Sequence, residues 1–145
     1  MRPRFQRITP FLWFDAQAED AVDFYTSVFD DSRVDTVNRY DREAARSSGQ
    51  PEGSVMIVAF ELDGQSFTAL NGGSHFKFNE AVSLVVNCKS QKVDHYWDRL
   101  SEGGDPKAQQ RGWLKDKYGL SWQVVPTEVI ELLNDPDPGK ARQAG

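Results

Sequence analysis

The alternation of apolar and polar residues predicts that one series of elements occurs twice along this chain. In each half, a strand-length apolar run precedes a stripe of apolar residues at helical spacing, and strands joined by tight turns follow. Asp63-Gly64 is a two-residue hairpin signal in the first half, and the segment 116–119, Asp-Lys-Tyr-Gly, is typical of a tight turn in the second. The predicted strands are 8–14, 33–39, 54–62, 65–71 and 81–88, followed by a hairpin at 112–126, and the predicted helices follow the candidate caps Asp15, Ser90 and Thr127.

Two short sequence matches support a duplication. The helical segment 22–25 (VDFY) matches 93–96 (VDHY), and the hairpin segment 64–67 (GQSF) matches 119–122 (GLSW). Chance similarity between amphipathic helices is the alternative, but the order of the elements agrees as well. The interval between the two matches is longer in the first half, and we attribute the difference to an inserted, exposed loop at 40–53.

We therefore predict an α+β fold in which two βαβββ modules form an open barrel around a shared hollow. The chain, residues 1–145, is expected to be a single domain. Module one is predicted at about 8–72, module two at about 80–126, and a C-terminal helix at about 127–134, before the Asp-Pro-Asp-Pro sequence. Inward-facing residues of the strands would line the hollow.

The composition argues against several classes of protein. Asp and Glu number 22 against 17 Lys and Arg, and the resulting net charge of −5 argues against a nucleic-acid partner. No apolar run reaches membrane-spanning length, and no apolar signal region follows the first basic residues, so we expect a soluble, cytoplasmic protein. Cys88 is the only cysteine, so neither a disulfide nor a thiolate metal cluster can form within one chain.

Several segments resemble the PhnB-like branch of the vicinal oxygen chelate superfamily, which includes glyoxalase, bleomycin-resistance and extradiol dioxygenase proteins. They are ITPFLWFD, AVDFYTSVF, FTALNGG, FKFNEAVSLVV and above all GWLKDKYGLSWQVVP. The resemblance implies the paired βαβββ fold and a homodimer. It also implies possible activities: a metal-dependent isomerase, thiol transferase or dioxygenase, or the demethylubiquinone methyltransferase activity with which this branch is labelled.

Metal-using members of the superfamily hold a divalent ion with His, Glu or Gln side chains on strands of both modules. The resemblance places the corresponding positions at Thr9 or Phe11, Asn71, Ser83 and Gln123. Two amides and a hydroxyl are poor ligands for zinc, nickel or iron, which prefer imidazole, thiolate and carboxylate groups. We therefore predict no metal site and no cofactor.

The remaining candidates for chemistry are weak. His75 is predicted on a link and His95 on a helix, and Glu61, a single strand carboxylate, does not make a metal site. Cys88 and His95 could meet across a strand–helix turn, but a lone cysteine at the end of a strand is typical of buried packing. Asp116 is better explained as a turn cap than as a catalytic acid. No catalytic residue can be named.

The predicted ligand is a small organic molecule held inside the barrel. Trp13 and Trp113 could line its pocket or simply pack in the core, and the amides of Asn71 and Gln123 are candidates for orienting a ligand. A methyl-donor nucleotide is not favoured, because no glycine-rich turn joins the first strand to the first helix. Sequestration of an antibiotic and an enzymatic reaction are the alternatives. The residues predicted to line the pocket are Phe11, Trp13, Asn71, Ser83, Trp113 and Gln123.

Overall fold

The computed structural model describes residues 6–136 and forms two compact units, the first ending at Lys77 and the second beginning at Phe78. The first unit contains β1 (Phe11–Phe14), α1 (Ala18–Val28), β2 (Arg33–Arg39), α2 (Arg42–Ser48), β3 (Val55–Leu62) and β4 (Gln65–Asn71). The second unit contains β5 (Ser83–Cys88), α3 (Ser90–Ser101), a 3₁₀ helix (Pro106–Ala108), β6 (Trp113–Lys115), β7 (Ser121–Pro126) and α4 (Thr127–Leu133).

The two sheets repeat the same strand pairing, which confirms the predicted duplication. In the first unit the strand order is β1-β4-β3-β2, with β1 parallel to β4 and β3 antiparallel to β4. In the second unit the order is β5-β7-β6, with β5 parallel to β7 and β6 antiparallel to β7. In both units the first and last strands therefore lie side by side, and a helix follows the first of them.

The second unit departs from the full βαβββ pattern, because its described residues contain no strand equivalent to β2. The segment between α3 and β6 instead forms the 3₁₀ helix and a single bridge from Gln110 to Trp113. Pro106 has no N–H to offer a sheet, and the Asp105 carboxylate accepts a hydrogen bond from the N–H of Lys107, which starts the 3₁₀ turn. The longer interval in the first half therefore reflects β2 as well as an insertion.

The segment 40–53, predicted as an inserted, exposed loop, contains helix α2 at its centre, so the prediction of a loop is wrong there. Asp41 caps this helix, with Oδ1 accepting a hydrogen bond from the N–H of Ala44 at 2.7 Å. Gly49 ends the helix in a left-handed conformation, with φ of 79°. The helix has no buried residues, which is why no apolar stripe revealed it in the sequence.

The three predicted helix caps are not the caps of the structure. Gln17, Lys89 and Pro126 occupy the cap positions, and none of them makes a side-chain cap hydrogen bond. Ser90 is instead the first residue of α3, and its hydroxyl donates a hydrogen bond to the Glu128 carboxylate. Helix α4 ends at Leu133, as predicted just before Asp135 and Pro136, whereas Asp137 and Pro138 lie outside the described residues.

The core of the first unit lies between helix α1 and one face of its sheet. Alternate residues of the strands turn toward the helix, which packs on β3 and β4. Burying such rings and aliphatic side chains is the main source of folding energy for a unit of this size. The buried hydrophobic residues of the unit are Leu12, Phe14, Ala18, Ala21, Val22, Tyr25, Val28, Tyr40, Val55, Val58, Phe60, Leu62, Phe67 and Ala69.

None of the helices within residues 6–136 has the length and hydropathy that crossing a membrane requires.

Asn71 joins three elements of the first unit through one buried side chain. Its Oδ1 accepts a hydrogen bond from the N–H of Ala18 at 2.8 Å, so the amide caps helix α1 from the neighbouring strand. Its Nδ2 donates to the Val55 carbonyl at 3.1 Å and to Glu19 Oε1 at 2.6 Å. The hydroxyl of Tyr40 donates to the backbone carbonyl of Asn71 at 2.5 Å.

Replacing Asn71 by alanine is expected to lower the free energy of unfolding by about 2–3 kcal/mol, because the Ala18 N–H and the Val55 carbonyl lose a buried partner. Urea unfolding followed by circular dichroism measures the change. The matched control is Asn38→Ala on the exposed strand β2, which should change the stability by less than about 0.5 kcal/mol. Equal effects of the two substitutions would contradict this role for Asn71.

Candidate functional site

The second sheet has one face packed against helix α3 and an opposite face, here called the open face. Buried Leu114, Trp122 and Val124 lie on the helix side. Residues directly opposite one another on paired strands share a face, and so do alternate residues along a strand. The open face therefore carries two rows of side chains across β5, β7 and β6, Ser83–Ser121–Lys115 and Val85–Gln123–Trp113.

The open face brings together three residues that the sequence predicted as part of one site: Ser83, Trp113 and Gln123. Gln123 Nε2 donates a hydrogen bond to Ser83 Oγ at 2.9 Å, which links β7 to β5. Trp113 lies beside Gln123 and leaves 37% of its surface exposed. The row thus offers an aromatic ring and an amide next to one another, a combination suited to holding a flat or apolar molecule with a polar group.

Asp116 holds the turn that aligns these rows. Its buried carboxylate accepts hydrogen bonds at Oδ1 from the N–H groups of Tyr118 and Leu120, at 2.8 and 3.1 Å. Its Oδ2 accepts a hydrogen bond from Trp122 Nε1 at 2.8 Å. Gly119 completes the turn with a positive φ of 89°. The structure thus confirms that Asp116 is a turn cap, and it fixes the register of β6 against β7.

A cavity of about 330 Å³ lies along the edge strand β6, within the second unit. The Nζ of Lys115 forms an ion pair with Glu80 Oε2 at 2.7 Å in its wall. The ammonium group of Lys115 donates a hydrogen bond that holds the pKa of Glu80 below its ordinary value. The lining residues are Glu80, Asp105, Lys107, Ala108, Gln110, Trp113, Leu114, Lys115 and Ser121.

Gly104 fixes the position of strand β6 at this cavity. A β-carbon at residue 104 would lie 2.1 Å from the carbonyl oxygen of Lys115, so no side chain fits there. The backbone after helix α3 therefore passes directly against β6.

The first unit places Phe11 and Trp13 on the sheet face opposite helix α1, next to Thr68 and Leu70. Phe11 is 56% exposed. Trp13 is only half-buried, but its Nε1 donates to the carbonyl of Gly73 at 2.9 Å, and its ring packs against the backbone of Gly72. Trp13 is thus held by the segment that follows β4.

Asn71 does not share that face. It lies on the helix side of the sheet, and its amide is bound to groups of the first unit. The sequence pattern could not reveal this, because a strand alternates its side chains with a period of two and the choice of face depends on register.

Comparison with known proteins decides the family. A family model described as 3-demethylubiquinone-9 3-methyltransferase matches residues 6–125. The chain belongs to this family. The PhnB protein from Bacillus cereus is similar to it in structure, with a TM-score of 0.70 and 36% sequence identity over 83% of this chain and 99% of that one. No curated protein sequence matches the chain.

More distant solved structures share the fold. Protein PA1353 from Pseudomonas aeruginosa is 16% identical, with a TM-score of 0.65 over 84% of this chain and 98% of that one. The fosfomycin resistance protein FosX from Listeria monocytogenes is 13% identical, with a TM-score of 0.55 over 86% of this chain and 93% of that one. The structure of FosX holds Mn(II) and 1S,2S-dihydroxypropylphosphonic acid. The family model and the PhnB match agree with the vicinal oxygen chelate superfamily, and FosX shares its glyoxalase/bleomycin-resistance fold.

The residues of this family member do not fit the metal that FosX holds. The amide of Asn71 is bound to helix α1, and that of Gln123 is bound to Ser83. His75 lies beside Phe76 in the segment after β4, whereas His95 lies on α3 with its ring against Tyr96. Among residues 6–136, no three His, Cys, Asp or Glu side chains are grouped so that they could hold an ion.

Cys88 has the properties of a packing residue. Its side chain is buried, and this burial, together with the charge of Glu128, raises the pKa of the thiol. A raised pKa keeps the sulfur protonated near neutral pH, whereas a nucleophilic cysteine needs a thiolate.

Sequence reasoning predicted only Trp113 among the residues that line the cavity, and it did not predict Lys115, Glu80 or Ser121 there. A signal for Lys115 was present, because it lies two residues from Trp113 on the same strand and therefore on the same face. Glu80 lies on the link before β5, and no sequence pattern indicates that it is near Lys115. Their ion pair can be recognised only from the tertiary structure.

Replacing Asp116 by asparagine should lower the free energy of unfolding by about 2 kcal/mol, because one carboxylate oxygen becomes an NH₂ group facing an N–H donor. Thermal and urea unfolding measure the loss. Asp63→Asn is the control, since asparagine tolerates the left-handed φ of 51° in the other hairpin turn. A stable Asp116→Asn variant would show that the carboxylate does not hold the turn.

Removing the Lys115 ammonium group should raise the pKa of Glu80 toward its ordinary value of 4.5. Because the folded state lowers this pKa, the ion pair contributes stability above the ordinary pKa and loses it as the pH falls through the lowered value. Carbon-detected NMR titration of the Glu80 carboxyl in wild type and Lys115→Met tests this, with Lys92→Met as the control. An unshifted Glu80 in the wild-type protein would refute the pair.

Proposed function

We propose that this protein binds a small organic molecule at the open face of its second sheet and the adjoining cavity, without a metal ion. The observation that carries the proposal is the convergence of Ser83, Trp113 and Gln123 on one face, beside a cavity of about 330 Å³. Pockets for small molecules have volumes of about 300–1,000 Å³ and combine apolar rings with a few placed polar groups.

The polar groups of the site are suited to binding rather than to covalent chemistry. Gln123 and Ser83 are neutral, and their mutual hydrogen bond orients both groups without an ionisable partner. Lys115 is paired with Glu80, so the cavity contains a cation balanced by an anion. General acid–base catalysis would need a group whose pKa lies near the working pH, and the shift of Glu80 is in the opposite direction.

The description of the family favours a second candidate function, methyl transfer. A nucleotide donor would need a phosphate- or ribose-binding turn next to a strand, typically rich in glycine. The glycines after β4 are not available to bind a nucleotide. Gly72 packs against the Trp13 ring, and the carbonyl of Gly73 accepts a hydrogen bond from Trp13 Nε1. We therefore favour binding over methyl transfer.

A thermal-shift screen of small organic metabolites is expected to find compounds that raise the melting temperature, because a ligand that binds only the folded state stabilises it by mass action. Gln123→Leu, which keeps the size of the side chain but removes the amide, should lower the affinity for such a compound by about tenfold. Gln91→Leu on the exposed side of α3 is the control and should leave the affinity unchanged.

Two measurements on the purified protein test the proposal directly. Elemental analysis would contradict it by finding one tightly held metal ion per chain that Gln123→Leu removes. Calorimetry would contradict it if S-adenosylmethionine bound with unit stoichiometry, a result that supports methyl transfer instead.

A further inference from the structure

We infer that the ligand of this site carries an anionic group, a carboxylate or a phosphonate, which replaces Glu80 at the ammonium group of Lys115 and accepts a hydrogen bond from Ser121. This inference rests on the proposed function and names the chemical class of its ligand. Its basis is the arrangement of Lys115, Glu80, Ser121 and Trp113 around the cavity.

The two members of the ion pair differ in how firmly they are placed. Lys115 belongs to strand β6, its side chain is 33% exposed, and the neighbouring backbone is held by Gly104. The Glu80 side chain is 70% exposed and comes from the segment before β5, outside the sheet. An exposed ion pair contributes little stability, so Glu80 can turn to water at small cost while the cation stays in the wall.

Ser121 provides a second observation that points to a ligand. Its residue is 1% exposed, and its Oγ has no hydrogen-bond partner within the part of the chain that the structure describes. Buried hydroxyl groups nearly always have a partner, and an unpaired one is costly. Ser121 and Lys115 are direct cross-strand neighbours, so both side chains lie on the open face. An oxyanion between them would accept a hydrogen bond from each.

The rest of the lining supports an anion attached to a flat or apolar group. Trp113 lies two residues from Lys115 on the same face and offers an exposed ring for stacking. Once Glu80 has moved away, the charged lining side chains are Lys107, Lys115 and Asp105, with a net positive charge. The carboxylate of Asp105 already accepts a hydrogen bond from the backbone N–H of Lys107, so this group has a partner within the protein.

The test uses three aromatic probes of similar size: benzoate, phenylphosphonate and the neutral benzamide. Titrations of the protein are followed by NMR through the indole N–H of Trp113 and the backbone N–H of Lys115 and Ser121. The two anions should bind more tightly than benzamide, and their order shows whether a carboxylate or a phosphonate is preferred.

The variants separate the roles of the three side chains. Glu80→Gln removes the internal competitor and should tighten anion binding by about three- to tenfold, whereas Lys115→Met should weaken it by about tenfold or more. Ser121→Ala should weaken binding severalfold while leaving the free protein as stable as wild type or more so, since it removes an unpaired buried hydroxyl. Lys92→Met and Glu131→Gln, exposed on α3 and α4, should change nothing.

The outcomes distinguish this inference from the function on which it rests. If benzamide binds at Trp113 as tightly as the anions and Glu80→Gln has no effect, the anion inference is wrong and binding at the open face stands. If none of the probes shifts Trp113, Lys115 or Ser121, and the metabolite screen also finds no compound, both are overturned. Weaker anion binding in Glu80→Gln would refute the proposed competition.

Discussion

The buried carboxylate of Asp116 is the constraint on which the candidate site depends. It accepts hydrogen bonds from the backbone N–H groups of Tyr118 and Leu120 and from the indole N–H of Trp122. One side chain therefore closes the β6–β7 turn and anchors the strand that follows. Because side chains alternate along a strand, fixing Trp122 toward helix α3 fixes Ser121 and Gln123 toward the open face. The register of two strands thus follows from the charge and geometry of one residue.

The first unit uses a buried amide for a comparable purpose. Asn71 caps helix α1, contacts β3 and lies under the Tyr40 hydroxyl. The last strand of each unit therefore carries, or is preceded by, a polar side chain whose hydrogen bonds are satisfied within that unit. Such groups stabilise a fold only when every buried donor and acceptor has a partner, which leaves these two unsuited to binding a ligand.

Much of the fold could be predicted from the sequence, because it depends on patterns that lie close together along the chain. Hydrophobic periodicity predicted β2, β4 and the helical stripe of α1, and turn chemistry predicted both hairpins. Helix α2 was not predicted because it buries no residue and so has no apolar stripe. The described residues of the second unit contain no equivalent of β2, because Pro106 and its neighbours favour a 3₁₀ turn.

The candidate site could be predicted only in part, for reasons of register and tertiary contact. Ser83, Trp113 and Gln123 do share a face, whereas Asn71 lies on the opposite face of its own sheet from Phe11 and Trp13. A shift by one residue reverses the face of a strand residue, and no local signal reports it. Lys115 and Glu80 could not be paired from the sequence, since one is on a strand and the other on a link.

We propose that the open face and its cavity hold a small molecule through Trp113, Lys115 and Ser121. The sharpest test is a crystal structure of the protein soaked with phenylphosphonate. We expect the ring against Trp113, the phosphonate oxygens within hydrogen-bonding distance of Lys115 Nζ and Ser121 Oγ, and Glu80 turned away. Phenylphosphonate bound elsewhere with the Lys115–Glu80 pair intact, or a metal ion held by strand side chains, would contradict it.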